Sequence, residues 1–238
     1  MKKLLLIFLL CVSIFASEVK IAAAANLKEI MPILISKYKH THPKTDIKVT
    51  YASSRTLMNQ ILKNPNSYDI YLSANEFFPK IIHKTLNTPE KPKIYANGIL
   101  TLFSYKKITE PNIIDFLLKS KCIVIANPST APYGKAAIDF LNNLWILSYV
   151  EKKLIYAKNV ANVLNYIKKC DAALIAKSLI SKLKNLNKTH YFLDIPDNFY
   201  FPITQGSLLL SNNKEAKDFY RFLFSQQAKN IFKKYGYK

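Results

Sequence analysis

Residues 19–39 read VKIAAAANLKEIMPILISKYK, and this stretch contains the unit on which the fold is built. The apolar run Val19–Ala24 predicts a buried strand, and the apolar periodicity of Leu27–Lys39 predicts an amphipathic helix. Asn26 lies at the junction, where its side chain can cap the free N–H groups of the first helical turn, and Glu29 is placed to complete a capping box. A strand followed directly by a capped helix is the repeating unit of α/β proteins.

Outward from this unit, β-rich runs alternate with amphipathic stretches in two groups, one before about Tyr95 and one from about Cys122 to Ala176. The alternation predicts an α/β fold of two lobes, each a mostly parallel sheet flanked by helices, with a ligand in the cleft between them. Two extended stretches are predicted to cross between the lobes. We therefore expect lobe I to comprise residues 17–97 and 200–238, and lobe II residues 98–199.

The N-terminus predicts export. Lys2 and Lys3 precede the short apolar run Leu4–Phe15, which is typical of a secretory signal peptide over residues 1–16 and indicates a periplasmic protein. The formal net charge of +20 indicates a basic surface that attracts anions. Because Arg55 and Arg221 are the only arginines and the lysines are scattered, nucleic-acid binding is disfavoured. We also expect the protein to be a monomer.

The composition disfavours enzymatic activity. With only four glycines, the chain cannot contain the common nucleotide-binding loops or the hydrolase nucleophile elbow. The reactive-looking residues Ser53, Ser54 and Tyr133 have no histidine in a partnering motif. We therefore expect no catalytic residue, no cofactor and no direct metal-ion ligand.

Four predicted helix starts carry polar residues immediately after strands. Free N–H groups at such starts bind anions, and in parallel sheets the starts gather at one edge. They are expected to converge on a cleft whose neutral donors bind an oxyanion without a buried countercharge. The residues are Asn26, Ser54 with its neighbours Ser53 and Arg55, Tyr133, and the backbone N–H of Val160 at the first position of a predicted helix over 160–168.

Several motifs together resemble one family, the periplasmic molybdate-binding proteins of bacterial ABC transporters. The resemblance implies a type II periplasmic-binding fold, ligand contacts at Asn26, Ser54, Tyr133 and Val160, and a further contact from the backbone of Ala25. It also implies an ABC transporter permease as partner. The motifs are AAANL at 23–27, ASSxTL at 52–57, DIYLSA at 69–74, PxTAPYG at 128–134, KNV at 158–160 and IFKKYG at 231–236.

The chain departs from the family pattern at Arg55, which is unusual beside the ligand serine. Arg55 either tightens anion binding or acts only through long-range attraction. Molybdate or tungstate is the expected ligand, and sulfate is the alternative, because the sequence does not resolve anion size. Phosphate is disfavoured because no carboxylate is present among the expected contacts to accept its proton.

Two cysteines follow the predicted signal peptide, Cys122 and Cys170. Export allows them to pair, and two free buried thiols are the alternative. Each lies at or just before the start of a predicted strand. In a right-handed βαβ arrangement ordered 2-1-3 these strands are neighbours, which favours a disulfide at the edge away from the ligand.

Overall fold

The computed structural model describes residues 18–88, 90–108, 113–183 and 190–238. The signal peptide predicted over residues 1–16 lies outside them. Within these ranges, no helix combines the length and apolar character needed to cross a bilayer.

The described strands form two five-stranded sheets, ordered β2-β1-β3-β10-β4 and β7-β6-β8-β5-β9. In each sheet four strands share one direction, and the fifth, β10 or β5, runs antiparallel to its neighbours. This confirms the predicted α/β class with two mostly parallel sheets. The strands are Glu18–Ala24 (β1), Asp46–Ala52 (β2), Ile70–Leu72 (β3), Lys93–Gly98 (β4), Leu100–Ser104 (β5), Ile123–Ala126 (β6), Leu154–Ala157 (β7), Ala172–Ala176 (β8), Tyr191–Asp194 (β9) and Ile203–Leu209 (β10).

Helices cover both faces of the first sheet, as parallel strands require. Along β1, Ile21 and Ala23 pack toward the helices α1, α8 and α9, whereas Ala22 packs toward α2 and α3. The second sheet has its own buried cluster, which includes residues of β5, β6 and β8. The described helices are Met31–Lys39 (α1), Ser54–Lys63 (α2), Phe77–Leu86 (α3), Ile113–Lys119 (α4), Pro132–Asn143 (α5), Leu147–Val150 (α6), Ile180–Leu183 (α7), Lys214–Phe222 (α8) and Gln226–Lys234 (α9).

The chain passes from the first sheet to the second through Ile99, and it returns after β9 to form β10 and the two C-terminal helices. The last residue is fixed to the first sheet, because Lys238 and Asn97 exchange two main-chain hydrogen bonds of 2.8 Å.

Two local predictions were wrong. The helix predicted over 160–168 is instead a 3-10 turn at Ala161–Asn165. The helix predicted from Leu27 begins at Met31, and Ala25–Leu27 form a separate 3-10 turn in which Asn26 makes no capping hydrogen bond. Asn26 is therefore not a helix cap, and its buried amide donates instead to the side chains of Gln205 and Tyr237.

A disulfide links Cys122 and Cys170, whose Cα atoms are 4.9 Å apart. Cys122 precedes β6 and Cys170 precedes β8, and these strands pair in parallel. The predicted bond and the predicted 2-1-3 order of β7, β6 and β8 are both confirmed.

Candidate functional site

The structure buries all the predicted contact residues, and the contacts it shows connect Asn26 with Tyr133 and Ser54 with Ala74. One buried cluster contains Ala25, Tyr133 and Val160. It also contains Ala74, which follows β3 of the first sheet. Ser54 joins this cluster through Ala74, whose N–H donates to Ser54 Oγ at 2.9 Å. All the expected contact residues are almost fully buried, with exposed fractions of 3% for Ala25, 1% for Asn26, 1% for Ser54, 1% for Tyr133 and 3% for Val160.

Ser54 is fixed by residues of the DIYLSA motif. The hydroxyl of Tyr71 donates to the main-chain oxygen of Ser54 at 2.7 Å, while the N–H of Ala74 donates to its hydroxyl oxygen. Because that oxygen already accepts a bond, the hydroxyl hydrogen remains for donation. Ser53 differs, since its Oγ is engaged with Thr56 Oγ1 at 2.6 Å. Of the two serines, Ser54 is thus the better-placed donor.

Tyr133 is positioned by two close approaches. Its helix α5 begins at Pro132 and packs tightly on the end of β6, where a Cβ at Gly134 would lie 2.2 Å from the carbonyl oxygen of Ala126. A Cβ at Gly98 would lie 2.2 Å from the Tyr133 hydroxyl, so glycine at 98 leaves the space that the phenol fills.

The Tyr133 phenol is neutral. Burial raises its pKa well above the ordinary value, and hydrogen bonding to the side chains of Gln205 and Asn26 opposes this rise. The contact with Asn26 connects the two sheets. Asn26 follows β1 of the first sheet, whereas Tyr133 lies on α5, the helix after β6 of the second. A neutral phenol donates its hydrogen to an anion, which a phenolate cannot do.

Val160 lies at the entry to the 3-10 turn, with φ −65° and ψ −30°. Among the described residues, the N–H of Val160 donates to no main-chain oxygen. The turn is closed by Asn159, whose Oδ1 accepts from the N–H of Asn162 at 3.0 Å. The proposed donor therefore belongs to a side-chain-closed turn, and not to an α-helix terminus as predicted.

Arg55 lies at the exposed end of this arrangement. Its guanidinium carbon is 5.5 Å from the ring centre of Phe78, and its N–H donates to the main-chain oxygen of Thr130 at 3.1 Å. This main-chain bond connects α2, beside the first sheet, with the loop before α5, beside the second. The side chain of Arg55 thus stacks on an aromatic ring, whereas its backbone joins the two halves.

The site is electrically neutral. Among the described residues no Lys, Arg, Asp, Glu or His is buried as a whole, and apart from one buried oxygen of Asp139 on α5 the buried polar groups are hydroxyls and amides. These ranges also contain no cluster of three His, Cys, Asp or Glu residues arranged to hold a metal ion. Oriented hydroxyl, amide and backbone N–H groups can stabilise an anion by charge-assisted hydrogen bonds. The arrangement offers donors and no pairing of nucleophile with base.

Sequence reasoning missed the residues that hold Asn26. Its Nδ2 donates to Gln205 Oε1 at 3.0 Å and to the Tyr237 hydroxyl at 2.8 Å. Its main-chain oxygen accepts from Ser178 Oγ at 2.9 Å. Of these three residues, only Tyr237 could have been connected with the site from the sequence, because it directly follows the IFKKYG motif.

Two sheets joined by chain crossings, with buried polar groups gathered between them, define a two-lobed ligand-binding protein. A family model described as bacterial extracellular solute-binding protein matches residues 19–238, and the chain belongs to this family. The molybdate-binding protein ModA of Rhodobacter capsulatus is 30% identical over 237 residues, which cover 93% of this chain and 88% of the relative. ModA of Azotobacter vinelandii is 29% identical over 235 residues, covering 93% and 90%. These relatives confirm the resemblance stated from the motifs.

Solved structures agree on the fold. The Azotobacter vinelandii periplasmic molybdate-binding protein matches with a TM-score of 0.82 at 23% identity, covering 92% of this chain and 98% of that one. The sulfate-binding protein SubI of Mycobacterium tuberculosis matches with a TM-score of 0.73 at 12% identity, covering 93% and 86%. At these identities the two structures establish the two-lobed architecture alone.

Proposed function

We propose that this chain captures a fully ionised tetrahedral oxyanion, molybdate or tungstate, in the periplasm and delivers it unchanged to the permease of an ABC transporter. The observation that carries the proposal is the burial of Asn26, Ser54, Tyr133 and Val160, which follow strands of both sheets, together with the contact between Asn26 and Tyr133. The backbone of Ala25 completes the proposed contact set. Ser53 is assigned no direct contact, since its hydroxyl is engaged with Thr56.

The proposal follows from the hydrogen-bonding capacity of the site. The hydroxyls of Ser54 and Tyr133 and the N–H of Val160 are donors, and a fully ionised oxyanion presents only acceptors. Hydrogen phosphate has a proton that needs an acceptor, and the only carboxylate in the neighbouring motif, Asp69, is engaged with Lys20 and Ser211. Arg55 is assigned a steering role, because its side chain stacks on Phe78 at the exposed end of the site. The protein acts as a monomer and requires no cofactor.

Release requires the two lobes to separate, since the contacts come from segments of both sheets. The lobe division is proposed as residues 17–97 and 200–238 against 98–199, which keeps every strand with its own sheet except that Gly98 is the last residue of β4 in the first sheet. Closure is then favoured by a ligand that touches both halves, which is how a docked permease can distinguish the loaded protein.

Calorimetric titration of the purified protein with molybdate, tungstate, sulfate and phosphate, at low and high salt, tests this function. Molybdate or tungstate should stabilise the fold by about 4 kcal/mol at a thousandfold excess over Kd. Binding should persist at high salt, because a buried site is screened much less than a surface patch. Heat from sulfate alone would reassign the ligand, whereas binding that collapses with salt would indicate a surface effect.

A further inference from the structure

The buried amide of Gln205 lies beside an irregularity in the first sheet. The pairing of β10 with β4 passes from Ala96 to Ile94 and skips Tyr95, so β4 carries one extra residue at this point. Such a bulge turns a side chain out of the regular alternation of a strand, and bulges are common next to binding sites. The Tyr95 hydroxyl lies 3.1 Å from Gln205 Oε1. Gln205, which has no exposed surface, is thereby anchored in the first sheet.

Gln205 contacts a proposed ligand residue from each half of the molecule. On one side, its amide and the amide of Asn26 are hydrogen bonded at 3.0 Å. On the other side, its amide is hydrogen bonded to the phenol of Tyr133, which lies on α5 beside the second sheet. The second contact depends on Gly98, because a Cβ there would lie 2.2 Å from the Tyr133 hydroxyl and 2.7 Å from Gln205 Nε2. Gln205 thus bridges Asn26 and Tyr133 across the two halves.

These two contacts do not depend on which edge of each amide carries the nitrogen. A contact between two amides is a hydrogen bond whenever the nitrogen of one faces the oxygen of the other, and this holds in either of two arrangements. A phenol both donates and accepts, so Tyr133 can bond to the nitrogen or to the oxygen of Gln205. The bridge therefore follows from the positions of the three side chains.

A bridge of this kind matters for a site built from neutral donors. Hydrogen bonds weaken steeply when their length or angle departs from the optimum, so donors on two separate lobes are effective only if their relative position is fixed. A cation between Asn26 and Tyr133 would fix them, but it would also place a charge in the interior, which is costly unless the charge is paired. The amide of Gln205 joins the two side chains without a charge.

We propose that Gln205 is a positioning residue of the oxyanion site, which holds Asn26 and Tyr133 at the separation that the anion requires when the lobes close. This inference rests on the proposed function and deepens it. Gln205 does not contact the anion and acts only through the two residues that it bridges. Its loss should therefore lower affinity without removing any proposed ligand contact.

Gln205→Leu removes the bridge and keeps a side chain of similar size. Loss of the hydrogen bonds to Asn26 and Tyr133 should weaken molybdate binding roughly five- to a hundredfold in calorimetric titration. Ser207→Ala is the matched control, because Ser207 lies on the same strand, has no exposed surface and bonds to the Tyr220 hydroxyl at 2.9 Å. Both variants should lower Tm, but only Gln205→Leu should lower affinity. Parent affinity in folded Gln205→Leu would overturn the positioning role, whereas a parent protein that binds no oxyanion would refute the proposed function itself.

A double-mutant cycle with Tyr133→Phe separates positioning from a general structural effect. If Gln205 acts through the Tyr133 hydroxyl, Gln205→Leu should cost roughly two- to tenfold less affinity in the Tyr133→Phe background than in the parent. A loss of affinity that comes only from a loosened fold would be the same in both backgrounds. Equal losses would therefore contradict the bridge to Tyr133.

Gln205→Glu tests the bridge if the leucine variant does not fold. The protonated carboxyl resembles the amide in shape and has one hydrogen to donate, whereas the ionised carboxylate only accepts and would compete with the anion for the Tyr133 hydrogen. The affinity of this variant for molybdate should therefore fall as pH rises from about 5 to 9, while the parent affinity stays constant over that range. A variant whose affinity follows that of the parent at every pH would exclude Gln205 from the positioning of the site.

Discussion

The hydroxyl of Ser178 donates to the main-chain oxygen of Asn26 at 2.9 Å. Ser178 lies in the 3-10 turn that follows β8 of the second sheet, and Asn26 lies in the one that follows β1 of the first, so this buried bond links the two halves at a proposed ligand residue. Separation of the lobes must break it. The bond therefore contributes to the closed form and not to the contact with the anion.

Ser178→Ala should weaken oxyanion binding roughly two- to tenfold, the worth of one net hydrogen bond, because closure loses a contact that it otherwise gains. Calorimetry measures the change. Ser181→Ala is the control, since its exposed hydroxyl makes only a 3.5 Å contact with Ser178. Equal affinities for the two variants would show that the bond does not contribute to closure.

Ser54→Ala should weaken binding roughly ten- to a hundredfold, because a hydrogen bond to a charged acceptor contributes about 1.5–3 kcal/mol. Ser53→Ala provides the comparison on the adjacent residue, whose hydroxyl is engaged with Thr56. It should retain the parent affinity. If the two alanine variants bind alike, the assignment of Ser54 as an anion donor is wrong.

Val160→Pro should fold and bind poorly. Proline fits the φ of −65° at Val160, and it removes the N–H proposed to contact the anion. Val160→Ala keeps the N–H and should bind almost normally. Circular dichroism and Tm verify the fold of both variants. Parent affinity in a folded proline variant would exclude the backbone contact.

Stability should fall at alkaline pH. Burial raises the pKa values of Tyr51, Tyr200 and Tyr220 to about 12, against about 10 in the unfolded chain. A higher pKa in the folded state gives stability that is complete below the unfolded pKa and is lost as pH rises toward the folded pKa. These phenols should therefore leave the free energy of unfolding constant from about pH 7 to 9 and lower it above about pH 10. Urea denaturation across this range, with near-ultraviolet detection of phenolate, measures the effect.

The disulfide should contribute to stability and not to affinity. Cys122 and Cys170 lie before the first residues of β6 and β8, whereas Tyr133 lies beyond the last residue of β6. Replacing both cysteines with alanine should lower the free energy of unfolding by roughly 2–4 kcal/mol. Oxyanion titration of the double variant should give the parent Kd. A large loss of affinity in a folded double variant would mean that the bond shapes the site from a distance.

The sequence predicted most of the strands but not β4, β9 or β10. In β10, Gln205 and Gly206 interrupt the apolar run, and the chain reaches the first sheet only after crossing the second. Gln205 is nevertheless fully buried, because its amide meets Asn26 and Tyr95, which are 179 and 110 residues away. Contacts at such separations leave no local pattern.

The helix predicted after Val160 failed for a local reason. Asn162 and Asn165 lie within it, and asparagine has a low helix propensity because its side chain competes for backbone groups. Asn159 does so, since its Oδ1 binds the N–H of Asn162. The apolar residues Val163 and Ile167 are buried as their spacing indicates, so periodicity located the packed face but not the type of turn.

The proposed contact residues were predicted from motifs that lie after strands, and each of them is buried in the structure. What the motifs could not predict is the support of each contact. Tyr71 and Ala74 fix Ser54, and Gly98 leaves space for Tyr133. These are relations between distant segments, visible only once both sheets are formed.

The neutrality of the buried site determines the proton balance of transport. In the part of the chain that the structure describes, no Lys, Arg, Asp, Glu or His is buried as a whole, and burial raises the pKa of the Tyr133 phenol well above its ordinary value. Under the proposed function, we therefore expect uptake and release of a fully ionised oxyanion to involve no exchange of protons with the medium. The two negative charges of such an anion would then reach the permease undiminished, and the membrane protein would supply any countercharge for their passage.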